Sequence, residues 1–248
     1  RDEMQYVADN IYEWAITNRM ILITDKTKEM VIYFGRRYVK DEIKSTCIQK
    51  VAIERIDTFK LLGVIFGSGL AWEKHVEYIV TKASKRLYVI YQLIRAGISV
   101  ADVTIVYCSL IRSILEYACQ VWHCGLTKSQ SDEIENVQRR CLRIIFREVS
   151  YKDALQITEL ELLSVRREKS VIKLFNEVKS TSHILNSLLP LRTFENDCML
   201  TRDTYPFRMP AVRTERPLRS FIYYFIKKKR FYQVAFSVSQ KQFSIRNW

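Results

Sequence analysis

Apolar positions recur along this chain first in short runs and then in long helical stripes. Residues 4–18 predict a helix, with Val7, Ile11, Trp14 and Ala15 on one face at three- and four-residue spacing. Turn chemistry around Thr24-Asp25 follows, and Met30-Val31-Ile32-Tyr33-Phe34 is a β-branched and aromatic run that predicts a strand. Residues 35–50 are polar and basic and read as a loop or hairpin excursion. Val51–Ile56 and Phe59–Phe66 are further strand candidates, with partial alternation across Asp57-Thr58 as a hairpin would show. Gly67-Ser68-Gly69 then supplies dense turn chemistry, and the first structural boundary is placed there.

Beyond that boundary the period changes to that of helices. From Trp72 to Ile94 the positions Val76, Ile79, Val80, Ala83, Leu87, Ile90, Tyr91 and Ile94 form one stripe, with Lys82, Lys85 and Arg86 on or beside the opposite face. Ala96-Gly97-Ile98-Ser99 reads as a C-cap followed by an N-cap. Val100–Val121 is apolar on nearly every side and predicts one helix at the buried centre of a bundle. A third helix, Lys128–Phe146, turns Ile134, Val137, Cys141, Ile144 and Ile145 inward. Arg139, Arg143 and Arg147 repeat at four-residue intervals on its other side, with Arg140 alongside. A fourth runs from about Leu162 to Val178, with Val171, Leu174, Phe175 and Val178 inward, and Leu188-Leu189-Pro190 ends the linker after it. The fold class is therefore mainly α with a small N-terminal α+β portion.

Charge sharpens this picture. Forty Lys and Arg against 27 Asp and Glu give a formal net charge of +13, and a polyanion is the natural partner for such a chain. No apolar run reaches the length of a spanning helix, and no membrane partner is expected. The N-terminus opens on Arg1 in a helical pattern, without the layout of a secretion signal, so we expect a piece of a longer protein with an intracellular site, nuclear or cytoplasmic. The six cysteines are dispersed through element patterns and read as free thiols, buried or partly buried.

Complete catalytic constellations are missing. Cys119-x3-His123-Cys124, with Cys108 a segment earlier, has no second ligand pair for structural zinc, and core packing accounts for it better. His75, His123 and His183 are scattered, and His75 at a helix start reads as a polar surface residue. Phosphate-cradling glycine motifs are absent, and so is any adjacent Asp-Asp pair of the kind a two-metal site uses. The basic helix faces and the C-terminal series Arg213, Arg216, Arg219 and Lys227-Lys228-Lys229-Arg230 remain, and they favour phosphate contacts. The aromatic residues near Arg219–Phe231 suit base stacking and equally suit a hydrophobic anchor for the tail.

Several blocks in fixed order resemble a known family. Trp14-Ala15-Ile16-Thr17-Asn18-Arg19-Met20, Asp25-Lys26-Thr27-Lys28-Glu29-Met30-Val31-Ile32 and Phe59-Lys60-Leu61-Leu62-Gly63-Val64 come first. Leu70-Ala71-Trp72-x2-His75-Val76, Lys82-Ala83-Ser84-Lys85-Arg86-Leu87 and Tyr107-x2-Leu110-Ile111-Arg112 running on to Trp122 follow. Ile134-Glu135-x2-Gln138-Arg139-Arg140-Cys141-Leu142-Arg143-Ile144-Ile145 is the last. Together they resemble the reverse transcriptases of non-LTR (LINE-type, jockey-like) retrotransposons, over the part that follows the catalytic hairpin.

The resemblance implies an RNA-directed DNA polymerase, a nucleotidyltransferase, whose chain here would comprise a palm remnant (1–69), a helical thumb (70–150) and a C-terminal extension with a basic aromatic tail (151–248). It implies that Lys26 or Lys28 assists the pyrophosphate leaving group. Lys60, Leu62 and Gly63 would belong to the primer grip, and Lys82, Lys85, Arg86, Arg139, Arg140 and Arg143 would track an RNA template and DNA primer. The family's Mg²⁺-binding aspartates would lie upstream of Met4, with the rest of the palm and the fingers. No cofactor is then expected in this chain, and we expect it to be inactive alone. A non-catalytic nucleic-acid- or protein-binding adaptor derived from such an element is the alternative.

Overall fold

A side-chain amide seats the first helix. In α1 (Asp2–Thr17), Gln5 Nε2 donates to the Cys47 carbonyl at 2.8 Å while the Cys47 amide donates back to Gln5 Oε1 at 3.0 Å. Gln49 also donates to the Tyr12 hydroxyl, so α1 packs through Gln5, Ala8, Tyr12 and Ala15. The computed structural model describes residues 2–32, 44–190 and 220–224. The chain divides into two units, Arg1–His75 and Val76–Trp248.

The seating of α1 overturns the expected orientation. Ala15 is buried at 3% exposure, but Val7 (47%), Ile11 (49%) and Trp14 (59%) face outward. A hydrogen-bonding stripe rather than the apolar one meets the short strands. The predicted strand at 30–34 is also displaced. Lys28–Glu29 forms β1, Met30–Ile32 are not in a strand, and Tyr33 and Phe34 lie outside the described residues, as does the excursion at 35–43.

Charge pairing explains where β1 falls. It runs parallel to β4 (Glu54–Arg55), with Lys28 opposite Glu54 and Glu29 opposite Arg55, so each opposed pair has opposite sign. Lys28 bonds Glu54, and Arg55 reaches Glu29 at 2.6 Å. Burial pushes the Glu29 carboxyl up, but the Thr46 amide and the Arg55 guanidinium together hold it below the usual range. β2 (Cys47–Ile48) and β3 (Val51–Ala52) pair antiparallel, as do β5 (Thr58–Leu61) and β6 (Val64–Gly67).

The hairpin turn sits at Leu62-Gly63, not at Asp57-Thr58. Leu61 opposes Val64, which leaves a two-residue loop with φ of +47° at Leu62 and +86° at Gly63. Both residues are in the left-handed region that a two-residue turn needs to match strand twist. Glycine meets this requirement freely, whereas Leu62 sits there at a cost of about 1–2 kcal/mol.

Beyond His75 the unit is all helix. α2 (Glu73–Arg95) buries Val76, Ile79, Ala83, Leu87 and Ile90 at 4% exposure or less. Gly97 (φ +75°) closes it, and the Ser99 side chain accepts from the Asp102 amide to open the next helix, as the sequence predicts. The single helix expected over 100–121 is interrupted. α3 (Val100–Val106) widens into a π turn at Tyr107–Arg112, continues as α4 (Ser113–Glu116), and breaks at Ala118 (φ +49°) before α5 (Cys119–Trp122).

The π turn has a physical reason. Val103, Tyr107, Ile111 and Leu115 are spaced by four and all have 0% exposure. An α-helix advances about 40° past a full circle every four residues, so a strict four-residue row drifts off its face. The wider turn takes that drift back.

α6 (Lys128–Ile145) opens on a capping box between Thr127 and Gln130 and buries Ile134, Val137, Cys141 and Leu142. α7 (Tyr151–Ile157), which the periodicity does not reveal, is capped by Ser150. α8 (Leu163–Val178) buries Leu163, Val171, Phe175 and Val178. Phe221, Ile222 and Tyr224 pack on the cluster of Cys124, Val171 and Phe175, with Phe221 edge-on to Phe175 at 6.1 Å. Those tail aromatics are anchors.

The core holds polar groups. Tyr107 Oη donates to Gln138 Oε1 at 2.5 Å, Gln138 Nε2 donates to the Glu161 carbonyl at 3.1 Å and to Tyr151 Oη at 3.0 Å, and Tyr151 in turn donates to Glu135. Arg167, 0% exposed, donates to Ser131 Oγ at 3.0 Å, and its guanidinium lies 5.8 Å from the Trp122 ring centroid. Burial holds its pKa below the usual arginine range, and the Glu135 carboxylate offsets only part of that. Removing a buried side chain of this size leaves a cavity and takes the cation away from Glu135, at a cost of about 3–5 kcal/mol. Arg167→Ala is expected to lose about that much in urea unfolding, and Arg167→Met, which keeps the volume, clearly less.

His75 is 1% exposed, not a surface residue. The Ile65 amide donates to its Nδ1 at 3.3 Å, which fixes a neutral imidazole, and burial pushes its pKa down to about 4. The unfolded chain, with a histidine near 6.5, binds the proton first, so stability falls as pH drops through the interval between the two values. Urea titrations at pH 7.5 and 5.5 are expected to differ by roughly 1–1.5 kcal/mol. A His75→Asn chain loses that part of the difference.

Candidate nucleic-acid interface

The amphipathic pattern of α6 places its cations. With Ile134, Val137, Cys141 and Leu142 buried, the helix turns Arg139, Arg140 and Arg143 to the exposed side, while Arg147, exposed as well, lies past its end at Ile145. Its flanking helices extend that edge. Arg140 Nη1 lies 3.3 Å from Ser84 Oγ on α2, and the Arg139 guanidinium sits 5.0 Å from the centre of the Tyr151 ring on α7 while bonding Asn136. Lys85, next to Ser84, is exposed, and so is Lys82, whose ammonium is 5.8 Å from the Tyr78 ring centre. The edge therefore runs from α2 across α6 to α7.

Arg86 does not belong to it in the same way. Its Nη1 donates to the Leu110 carbonyl at 2.9 Å, within the π turn where the regular helical ladder is disturbed. Arg86 braces α2 against that turn. Two other arginines are likewise committed: Arg166 reaches Glu116 with both Nε (2.7 Å) and Nη2 (3.2 Å), and Arg112 stands 3.9 Å from the same carboxylate.

The remaining predicted site residues lie in the N-terminal unit. Lys26 is exposed in a 3₁₀ turn (Thr24–Lys26), and the Lys28 ammonium is engaged by Glu54. Lys60 is exposed on β5, and Leu62 (83% exposed) and Gly63 form the hairpin tip. Lys26 and Lys28 are separated by only one residue, so they stay near each other whatever their roles.

The thiols of Cys108, Cys119 and Cys141 are poor nucleophiles. Burial pushes Cys141 up to about 12 and raises Cys108 and Cys119, so these thiols stay protonated. Cys119 and Cys124 are buried, and among the described residues no three His, Cys, Asp or Glu side chains gather as metal ligands. No described helix is long and apolar enough to cross a membrane. The chain matches no protein-family model, no curated protein and no solved structure.

Two neighbouring cations on α2 thus have different duties. A hydrogen bond from a charged donor to a carbonyl contributes about 1.5–3 kcal/mol, while an exposed lysine contributes about 0.5 or less. Arg86→Ala is expected to lose about 2 kcal/mol in thermal or urea unfolding, and Lys85→Ala almost nothing. Equal effects would return Arg86 to the surface.

Proposed function

We propose that this chain is part of the reverse transcriptase of a non-LTR retrotransposon, and that its helical unit contacts template–primer nucleic acid without performing nucleotidyl transfer itself. The observation that carries this reading is the exposed cationic edge from α2 across α6 to α7. Guanidinium groups on a rigid helix suit phosphate oxygens, and contacts of that kind position a duplex without reading its sequence. The parent reaction would join dNTPs to a primer 3′-OH with Mg²⁺, on residues this reading assigns to the upstream palm.

Two further features support it. The hairpin tip Leu62-Gly63 projects an exposed leucine held in the left-handed region, which fits a loop shaped to touch a substrate rather than to minimise its own energy. The outward apolar stripe of α1 fits a segment that more of a palm would cover. That stripe also favours a second reading, an adaptor derived from such an element whose α1 docks on protein.

Binding to a labelled RNA–DNA hybrid, followed by anisotropy over a salt series, is expected to weaken steeply as salt rises. Charge reversal at Arg139 and Arg143 together lowers affinity and flattens the log–log slope by about 1–2. It costs about 1 kcal/mol or less of stability, the worth of the exposed contact with Tyr151. Salt-independent binding overturns the phosphate-contact reading, and dNTP incorporation by this chain alone overturns the division of labour.

A further inference from the structure

The exposed face of α2 carries an aromatic residue that the fold does not use. Tyr88 is 66% exposed, and among the described residues its ring and hydroxyl meet no aromatic or hydrogen-bonding partner. Thr81, Lys85, Tyr88, Gln92 and Arg95 follow one another at four- and three-residue steps and so share one face. From Tyr78 to Arg95 the helix holds four cations (Lys82, Lys85, Arg86 and Arg95) and no carboxylate. Tyr91, 43% exposed, lies one turn beyond Tyr88, with the Arg95 guanidinium 5.7 Å from its ring centre.

The cationic edge meets this face one turn earlier. Arg140 reaches Ser84 at 3.3 Å, and Ser84 precedes Tyr88 by four residues, about 6 Å along the helix axis. An unused ring is therefore bracketed by Lys85 and Arg140 on one side and by Tyr91 with Arg95 on the other. Solvated helix faces normally carry charges of both signs and few large rings. This one combines a π-surface with positive charge, the pairing that holds unpaired nucleotides: cations for the backbone, a ring for the base.

Resting on the nucleic-acid reading above, we infer that the α2 face is a single-strand site, with Tyr88 as the stacking platform for an unpaired base and Lys85 and Arg140 as its phosphate contacts. Paired bases are already stacked on their neighbours and offer no free face to Tyr88. Duplex and single strand then draw on different parts of the surface. The α6 arginines serve both, and Tyr88 serves only the single strand.

The test uses the full chain, a labelled 15-nucleotide single-stranded RNA or DNA and a blunt RNA–DNA hybrid, titrated by anisotropy over a salt series. Tyr88→Ala is expected to weaken single-strand binding by about ten-fold, with its salt slope unchanged and hybrid affinity within about two-fold. Tyr88→Phe retains the wild-type values, and circular dichroism melting shows all chains equally folded. Single-strand affinity unchanged in Tyr88→Ala, with wild-type binding intact, overturns this inference and leaves the nucleic-acid reading standing. Equal losses on single strand and hybrid, or a loss in Tyr88→Phe as large as in Tyr88→Ala, overturn the stacking role. Absence of salt-dependent binding by the wild-type chain to either ligand overturns both.

Discussion

The helical unit depends on a positive charge buried away from its surface. Arg167 projects from α8 into the core, rests against Trp122 of α5 and bonds Ser131 in the first half of α6. Three helices meet on one guanidinium, and an apolar residue could fill that space without specifying their mutual register. The chain Tyr107–Gln138–Tyr151–Glu135 does the same for the π turn, α6 and α7, and Gln138 adds the Glu161 carbonyl just before α8. Apolar stripes bring the helices together, whereas these polar contacts admit few alternatives to the observed alignment. The surface edge depends on them, because Arg139, Arg140 and Arg143 share α6 with Glu135 and Gln138.

Periodicity alone makes most of this unit legible in the sequence. α2, α6 and α8 begin and end close to where their apolar stripes and caps predict, since each has one inward face and a polar remainder. The stretch from Val100 to Val121 misleads because it is apolar on every side, and a pattern without a polar face marks burial but not phase. The π turn hides there, although the unbroken four-residue row from Val103 to Leu115 is a signal that could have exposed it. α7 is only two turns long, too short to establish a stripe, yet its Ser150 cap was visible in the sequence.

Errors in the N-terminal unit share a different cause. Apolar patterning assumes that the hydrophobic face goes inward, and α1 instead packs through Gln5, Tyr12 and small residues. β1 follows complementary charges rather than the more hydrophobic run just after it. His75 reads as a surface residue by type and, in the helical unit, Arg86 by its place opposite the α2 stripe, yet each is drawn in by a backbone group it satisfies, the Ile65 amide and the Leu110 carbonyl. Residue type predicts preference, but a backbone group in need of a partner decides the individual case. The cationic edge is readable because Arg139 and Arg143 repeat with the helix, although Arg147 falls past its end, while the exposure of Tyr88, next to an apolar stripe, is not.

The π turn also restricts how this region can vary. Substitution leaves the turn count intact, but losing one residue between Cys108 and Arg112 would let the helix close into regular α geometry. The residues on either side would keep nearly their present phase, because the wide turn holds one residue more than regular α geometry needs for the same rotation. Leu115 and Trp122 would keep their places in the core, and the loss would fall on the disturbed ladder where Arg86 bonds the Leu110 carbonyl. Along Val100–Trp122, therefore, the extra residue sets no phase of the core but creates the acceptor on which Arg86 is seated.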